Sequence, residues 1–232
     1  IGQSRGIVNF VLSLEKFKTF NLLRDFLKWI QEMFSYSDSS GALKKSGTLM
    51  SRMVRDQTVL YNSEVYNLGI EQFDGNLKDI LSMCKENNIP VIISTLSSNL
   101  KDQSPFVSLE SGKLPKASDV YNEAVSKISN TTEALELFRY AKDLDGLRFR
   151  APSKINEIII AQAKKYNYPL VQIDSIFNSN SPQGITGNNL MTDHLHPTFE
   201  GYKLIGESYF DVMIKNKLLP KTQQENIDES KL

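Results

Sequence analysis

The two histidines of this chain lie two residues apart, in the stretch NLMTDHLHPTFEGY at 189–202. His194 and His196 follow Asp193 and precede Pro197. An aspartate three residues ahead of a histidine suits a turn in which the carboxylate accepts from Nδ1–H. That contact fixes the tautomer and leaves Nε2 to take a proton from a hydroxyl. Asp193 would then be the orienter and His196 the base. The same pair also fits a plainer role, with Asp193 capping a turn and His196 packed beneath it. A metal is a third use of these residues. In an extended segment His194 and His196 point one way, but Asp193 points the other, and no further histidine completes a ligand set. The expectation is therefore acid–base chemistry with no metal and no cofactor.

Other side chains with binding chemistry are scattered more widely. Asn99, in STLSSNLKD, follows a strand end, where it either hydrogen-bonds a substrate or closes an Asx-type turn. Arg148 and Arg150 alternate around Phe149 in LRFRAP and so face one side. They suit an anionic group on a substrate, or surface ion pairs. Asp174 ends a strand and either supports the catalytic loop or caps SIFN. The loop SPQGITGNN at 181–189 lacks the strand-to-helix setting of a phosphate cradle and is expected to shape the approach to Asp193. GQSRG at 2–6 satisfies G-x-S-x-G, and Ser4, Asp193 and His196 run in the order of an α/β-hydrolase. A nucleophile elbow needs a strand before it, and only Ile1 precedes this one, so Ser4 is expected in a loop.

These residues must be positioned by the elements around them. Residues 8–34 carry Phe20, Leu23, Leu27, Ile30 and Phe34 at intervals of three and four, which predicts an amphipathic helix. SYSDSSGALKKSG at 35–47 reads as a loop. A second long helix is predicted from Ser63, its N-cap, to Lys85, with a core face of Phe73, Leu77, Ile80, Leu81 and Cys84. The apolar β-branched run PVIIST at 90–95 follows, and PLVQID at 169–174 repeats its pattern after the helix SKINEIIIAQAKKYN at 153–167. Helix, Asn-x-Pro stop, apolar strand, twice over, is the pattern of βαβ units with a ligand-binding edge where the strands end. Between them, YNEAVSKISNTTEALELFRYAKDLD at 121–145 predicts a helical hairpin. Its Ala134, Phe138 and Ala141 have the small–large–small spacing of a tetratricopeptide-type pair. A last helix is predicted from about Phe199 to Asn216, followed by a polar, mobile tail over 219–232.

Composition narrows the function classes. The chain has 232 residues, 40% hydrophobic and 23% charged, which is ordinary for a globular domain. Twenty-seven basic and 27 acidic side chains cancel, so a nucleic-acid footprint is not expected. No apolar run is long enough to cross a bilayer. The single cysteine, Cys84, excludes an internal disulfide and is expected in the core.

At the level of motifs, DHLHPTFEGY resembles the final D-x-x-H-P block and following helix of the SGNH/GDSL hydrolase superfamily. Further stretches resemble its bacterial branch with tetratricopeptide-like helices: IPVIISTLSSNLKDQSPF at 89–106, AKDLDGLRFRAPSKIN at 141–156 and YPLVQIDSIF at 168–177. The resemblance spans most of residues 60–215. It implies an α/β fold, a flavodoxin-like three-layer α/β/α sandwich, over 1–218, with a helical-hairpin insertion at about 115–150. It also implies hydrolysis of a carboxylic ester or O-acyl group at a serine, with Asp193 and His196 as the family's acid and base, and a secreted or periplasmic location. The G-D-S block with its nucleophile, the oxyanion glycine and the G-x-N block of the family have no counterpart here. Two strands alone would leave open sheet edges. The expectation is an incomplete sandwich whose remaining strands and serine come from a missing N-terminal segment or a complementary chain. An acyl-ester substrate, lipid or acylated sugar, is the partner implied. The alternative is a non-catalytic binding or assembly subunit on the same scaffold.

Overall fold

The computed structural model describes residues 5–35 and 58–219, and the chain divides into two units after Gln57. In the first unit, α1 (Arg5–Leu14) and α2 (Lys18–Ser35) replace the continuous helix predicted over 8–34. The break at 15–17 is held from both sides. Phe17 N–H donates to Leu14 O at 3.0 Å, and Asn21 Nδ2 donates to Glu15 O at 2.8 Å. The Arg24 guanidinium bridges back to Glu15 at 2.5 Å. Of the loop predicted at 35–47, Ser35 ends α2 and the rest lies outside the described residues, as do the Ser4 motif position and the tail from 220 onward.

The second unit begins with α3 (Glu64–Glu86), capped by the Ser63 side chain, which accepts from Tyr66 N–H. Strand β1 (Ile93–Ser94) follows, then α4 (Ala117–Ser126), α5 (Thr131–Leu144), α6 (Ser153–Tyr166), strand β2 (Leu170–Val171), α7 (Ile173–Ser179) and α8 (Phe199–Lys215). Both helix-to-strand stops work the same way. Asn88 and Asn167, each two residues ahead of a proline, adopt φ of 55° and 56°, the left-handed conformation asparagine tolerates at a helix end. The proline then forbids further helix.

The flavodoxin-like three-layer sandwich is not what these elements build. β1 and β2 pair in parallel through Ile93–Leu170 and Ser94–Val171, and they are the only sheet among the described residues. Four paired residues cannot carry a helix layer on each face, so helices bury one another instead. α3 packs on α6, joined by a Ser82–Tyr166 hydroxyl pair at 2.6 Å and by Gln162 Nε2 donating to Asp74. α4 and α5 form a hairpin whose interface contains Ala124, Ala134 and Phe138, and it closes onto Leu100 and Ile185. A second cluster, Val171, Ile173, Phe177, Leu190 and Met191, receives Leu204, Ile205, Tyr209 and Val212 of α8. The fold is mainly helical, with one short parallel strand pair among the described residues. On α3, Leu81 is buried, but Ile80 is exposed and Cys84 is a half-buried free thiol, so the apolar face is narrower than its spacing predicts.

Candidate active site

The segment 189–198 is a tight loop closed on itself before α8. Met191 and Pro197 form an antiparallel bridge, Thr192 N–H donates to His196 O at 2.8 Å, and Thr198 N–H donates to Leu190 O at 2.9 Å. Thr198 then caps α8 by accepting from Gly201 N–H. Gly201 is where the helix meets the loop: a Cβ there would stand 2.5 Å from Leu190 O and 2.9 Å from Pro197 Cβ. Only glycine permits that approach.

Within the loop, Asp193 Oδ1 accepts from the backbone N–H groups of Leu195 and His196, each at 2.8 Å. Oδ2 faces His196 Nδ1 at 2.7 Å. Donation from the Leu195 amide, then from the His196 amide and ring, holds the Asp193 carboxyl far below the usual carboxylate range. A carboxylate that stays ionised is an acceptor only, so it selects the imidazole tautomer with hydrogen on Nδ1. Nε2 then carries the lone pair. The His196 side chain is 62% exposed, and among the described residues no hydroxyl is hydrogen-bonded to Nε2.

His194 has a different environment. Its ring packs edge-on against Phe106, at 5.2 Å between centroids, and tilted against Phe149 at 5.5 Å. Its Nδ1 stands 3.7 Å from Asp193 Oδ1, beyond hydrogen-bond reach. Burial lowers its pKa, so the ring is held neutral. Among the described residues no group of three His, Cys, Asp or Glu side chains converges as metal ligands.

Searches of protein-family models, of curated proteins and of solved structures found no match to this chain.

Of the remaining residues singled out by sequence, Asn99 braces the dyad loop and Arg150 holds Asn99, while Arg148 and Asp174 make their contacts elsewhere. Asn99 is buried and uses every polar group. Its N–H donates to His194 O at 3.1 Å, its Nδ2 to Asn188 Oδ1 at 2.8 Å, and its Oδ1 accepts from Asp102 N–H at 3.0 Å. Arg150 Nη1 donates to Asn99 O and Gln103 O, both at 2.9 Å, and Nη2 reaches Asp145 Oδ2 at 3.3 Å. Arg148 donates to Asp143 O at 2.5 Å and to Val59 O at 2.9 Å, and its guanidinium lies 5.0 Å from the centre of the Tyr66 ring. The two arginines thus diverge to separate protein partners instead of sharing one side. Asp174 sits in the first turn of α7 and takes the Thr95 hydroxyl at 2.6 Å, which ties it to the end of β1.

One organiser escaped sequence reading. Asp145 is buried and accepts from Phe106 N–H at 2.9 Å, Val107 N–H at 3.0 Å and Leu147 N–H at 3.1 Å, besides meeting Arg150. Its signal is an aspartate five residues ahead of an arginine in DGLRFR, a spacing with no helical or strand logic. The chain of contacts Asp145–Arg150–Asn99–His194 leads from the end of the hairpin to the dyad.

Proposed function

We propose that this chain supplies the acid–base half of a serine-type hydrolase that acts on a carboxylic ester or O-acyl group. The observation that carries the proposal is the Asp193–His196 contact of 2.7 Å, with Asp193 locked by two amides and Nε2 open to solvent. In this reading Nε2 takes the proton of a serine hydroxyl as its oxygen attacks the acyl carbonyl. The imidazolium returns that proton to the departing alcohol as the ester bond breaks, and water, deprotonated the same way, frees the acid. Asp193 orients the ring and offsets its transient charge. The D-x-x-H-P resemblance to SGNH/GDSL hydrolases supports the assignment to this chemistry. The nucleophile proposed is a G-D-S serine, a block absent from this sequence, brought by another segment of the parent protein or a complementary chain.

The test is labelling of the intact parent protein with a fluorophosphonate, alongside turnover of a short acyl nitrophenyl ester. Labelling of one serine, with turnover lost in His196→Ala while the circular dichroism is unchanged, is the expected result. A His196→Ala protein that labels and turns over at the parental rate removes His196 from the mechanism.

A second reading is a binding or assembly subunit. The exposed apolar side chains of α1 and α2, Phe10, Leu22, Phe26 and Trp29 among them, favour it. An unlabelled, inert parent that co-purifies with a partner chain would select this reading over the first.

A further inference from the structure

The exposed apolar side chains of the first unit are arranged in rows. On α2, Leu22, Phe26 and Trp29 recur at intervals of four and three, and Leu23 and Leu27 form a second row beside them. All five are more than half exposed, and the Phe26 and Trp29 rings stack at 5.9 Å between centroids. A helix that docks on one partner helix presents a single apolar seam. Two adjoining exposed rows make a wider face. On α1, Phe10, Val11 and Leu12 are exposed at successive positions and so point in different directions. A flat partner surface reaches one side of such a helix, whereas an apolar medium surrounds it.

Charge says which medium. The first unit, Ile1–Gln57, carries nine basic and five acidic residues, while 58–232 carry 18 basic and 22 acidic. The chain is neutral only because its two units offset each other. At the turn between α1 and α2, Lys16, Phe17 and Lys18 are all exposed. Arg24 engages both nearby carboxylates, Glu15 at 2.5 Å and Asp25 at 3.5 Å, and among the described residues neither lysine is in an ion pair. An aromatic ring between two such ammonium groups suits the headgroup level of a bilayer, the ring against the acyl boundary and the amines on phosphates. Among the described residues no helix is long and apolar enough to cross a membrane, so this unit would lie on the surface.

We propose that α1 and α2 bind the surface of an anionic bilayer, with the two rows of α2 at the acyl boundary and Lys16 and Lys18 on lipid phosphates. The proposal names the occupant of this face and stands whether or not the Asp193–His196 dyad takes part in ester hydrolysis.

Trp29 is the single tryptophan of the chain and reports on its own row. The whole chain should co-float with phosphatidylcholine vesicles that contain about a third phosphatidylglycerol, and at least about tenfold less with phosphatidylcholine alone. On the anionic vesicles Trp29 emission should move to the blue and be quenched by brominated acyl chains, and binding should weaken as salt is raised. Phe26→Ser should weaken binding by about tenfold or more. Lys16→Gln combined with Lys18→Gln should weaken it by about tenfold; this variant leaves the apolar rows intact and keeps the test open should Phe26→Ser misfold. No co-flotation, equal binding to uncharged vesicles, Trp29 emission that brominated chains leave unquenched, or parental binding in the folded variants would overturn the proposal. So would self-association that buries Trp29 without lipid, since a second copy would then occupy the face.

Discussion

Asp193 grips His196 twice, through the backbone amide at 2.8 Å and through ring Nδ1 at 2.7 Å, using a different carboxylate oxygen for each. The first contact sets where the ring's own backbone lies, and the second sets which ring nitrogen carries hydrogen. Asp193→Asn separates the two. An asparagine oxygen can still accept from the Leu195 and His196 amides, while its NH₂ group would face Nδ1 and force hydrogen onto Nε2. Folding should be preserved and ester turnover of the parent protein should fall about 10³- to 10⁴-fold, the size of a tautomer error in such a dyad. Nitrogen chemical shifts of the His196 ring should show the exchange of protonated nitrogens. Parental turnover in the Asp193→Asn variant would leave Asp193 a turn residue.

The same carboxylate gives the fold a pH dependence whose sign can be worked out. Asp193 titrates lower in the folded chain than in the unfolded chain, chiefly because backbone amides bind the charged form. The unfolded chain therefore binds its proton first as pH falls. The stabilisation is present above the ordinary carboxylate range and is lost on descending below it. His194 is also shifted downward, by burial between Phe106 and Phe149. It too favours the folded state above its ordinary range, near pH 6.5, and works against it below. Urea midpoints should thus fall in two stages as the medium is acidified. His194→Phe should remove the upper stage and Asp193→Asn the lower, each leaving the other in place.

Arg150 should matter more to stability than its sequence setting suggests. It is buried with Asp145 and satisfies two carbonyls of the 99–103 loop. Arg150→Met would strand a buried carboxylate, at a cost of about 3–5 kcal/mol. Arg150→Lys should recover little of this, since one ammonium cannot reproduce the planar fork to Asn99 O, Gln103 O and Asp145. Denaturant unfolding checks both, and a loss under about 1 kcal/mol for Arg150→Met would show that the pair contributes little net stability.

What could be read from sequence follows contact range. The helix stops at Asn88 and Asn167 are local, and so is the dyad, whose members are three residues apart. The hairpin was legible because Ala134, Phe138 and Ala141 repeat along one helix face, and all three are buried. The three-layer sandwich was expected wrongly, because an apolar run such as PVIIST states that a strand can be buried but not how many strands lie beside it. Asn99 and Arg150 are 51 residues apart, and Lys142 and Asn178 meet at one cavity from different helices. Such pairings have no period, so Asn99 and Arg150 read as binding groups until their partners were seen.

The two glycines of α8 give an internally controlled test of how the helix supports the dyad loop. Both are in the same helix, where alanine is intrinsically favoured over glycine by about 1 kcal/mol. At Gly206 an added Cβ meets nothing within 4 Å, so Gly206→Ala should raise stability by about that amount. At Gly201 the Cβ would meet Leu190 O at 2.5 Å and Pro197 Cβ at 2.9 Å, both part of the loop that carries Asp193 and His196. A carbonyl and a proline ring cannot swing away as a flexible side chain can. Gly201→Ala should therefore destabilise by about 1–3 kcal/mol despite its better propensity, and shift the loop. Thermal unfolding reads the first effect, and the titration of the His196 ring by NMR reads the second. Equal stabilisation by both alanines would mean that α8 is free to move away from the loop, and that the dyad geometry does not depend on it.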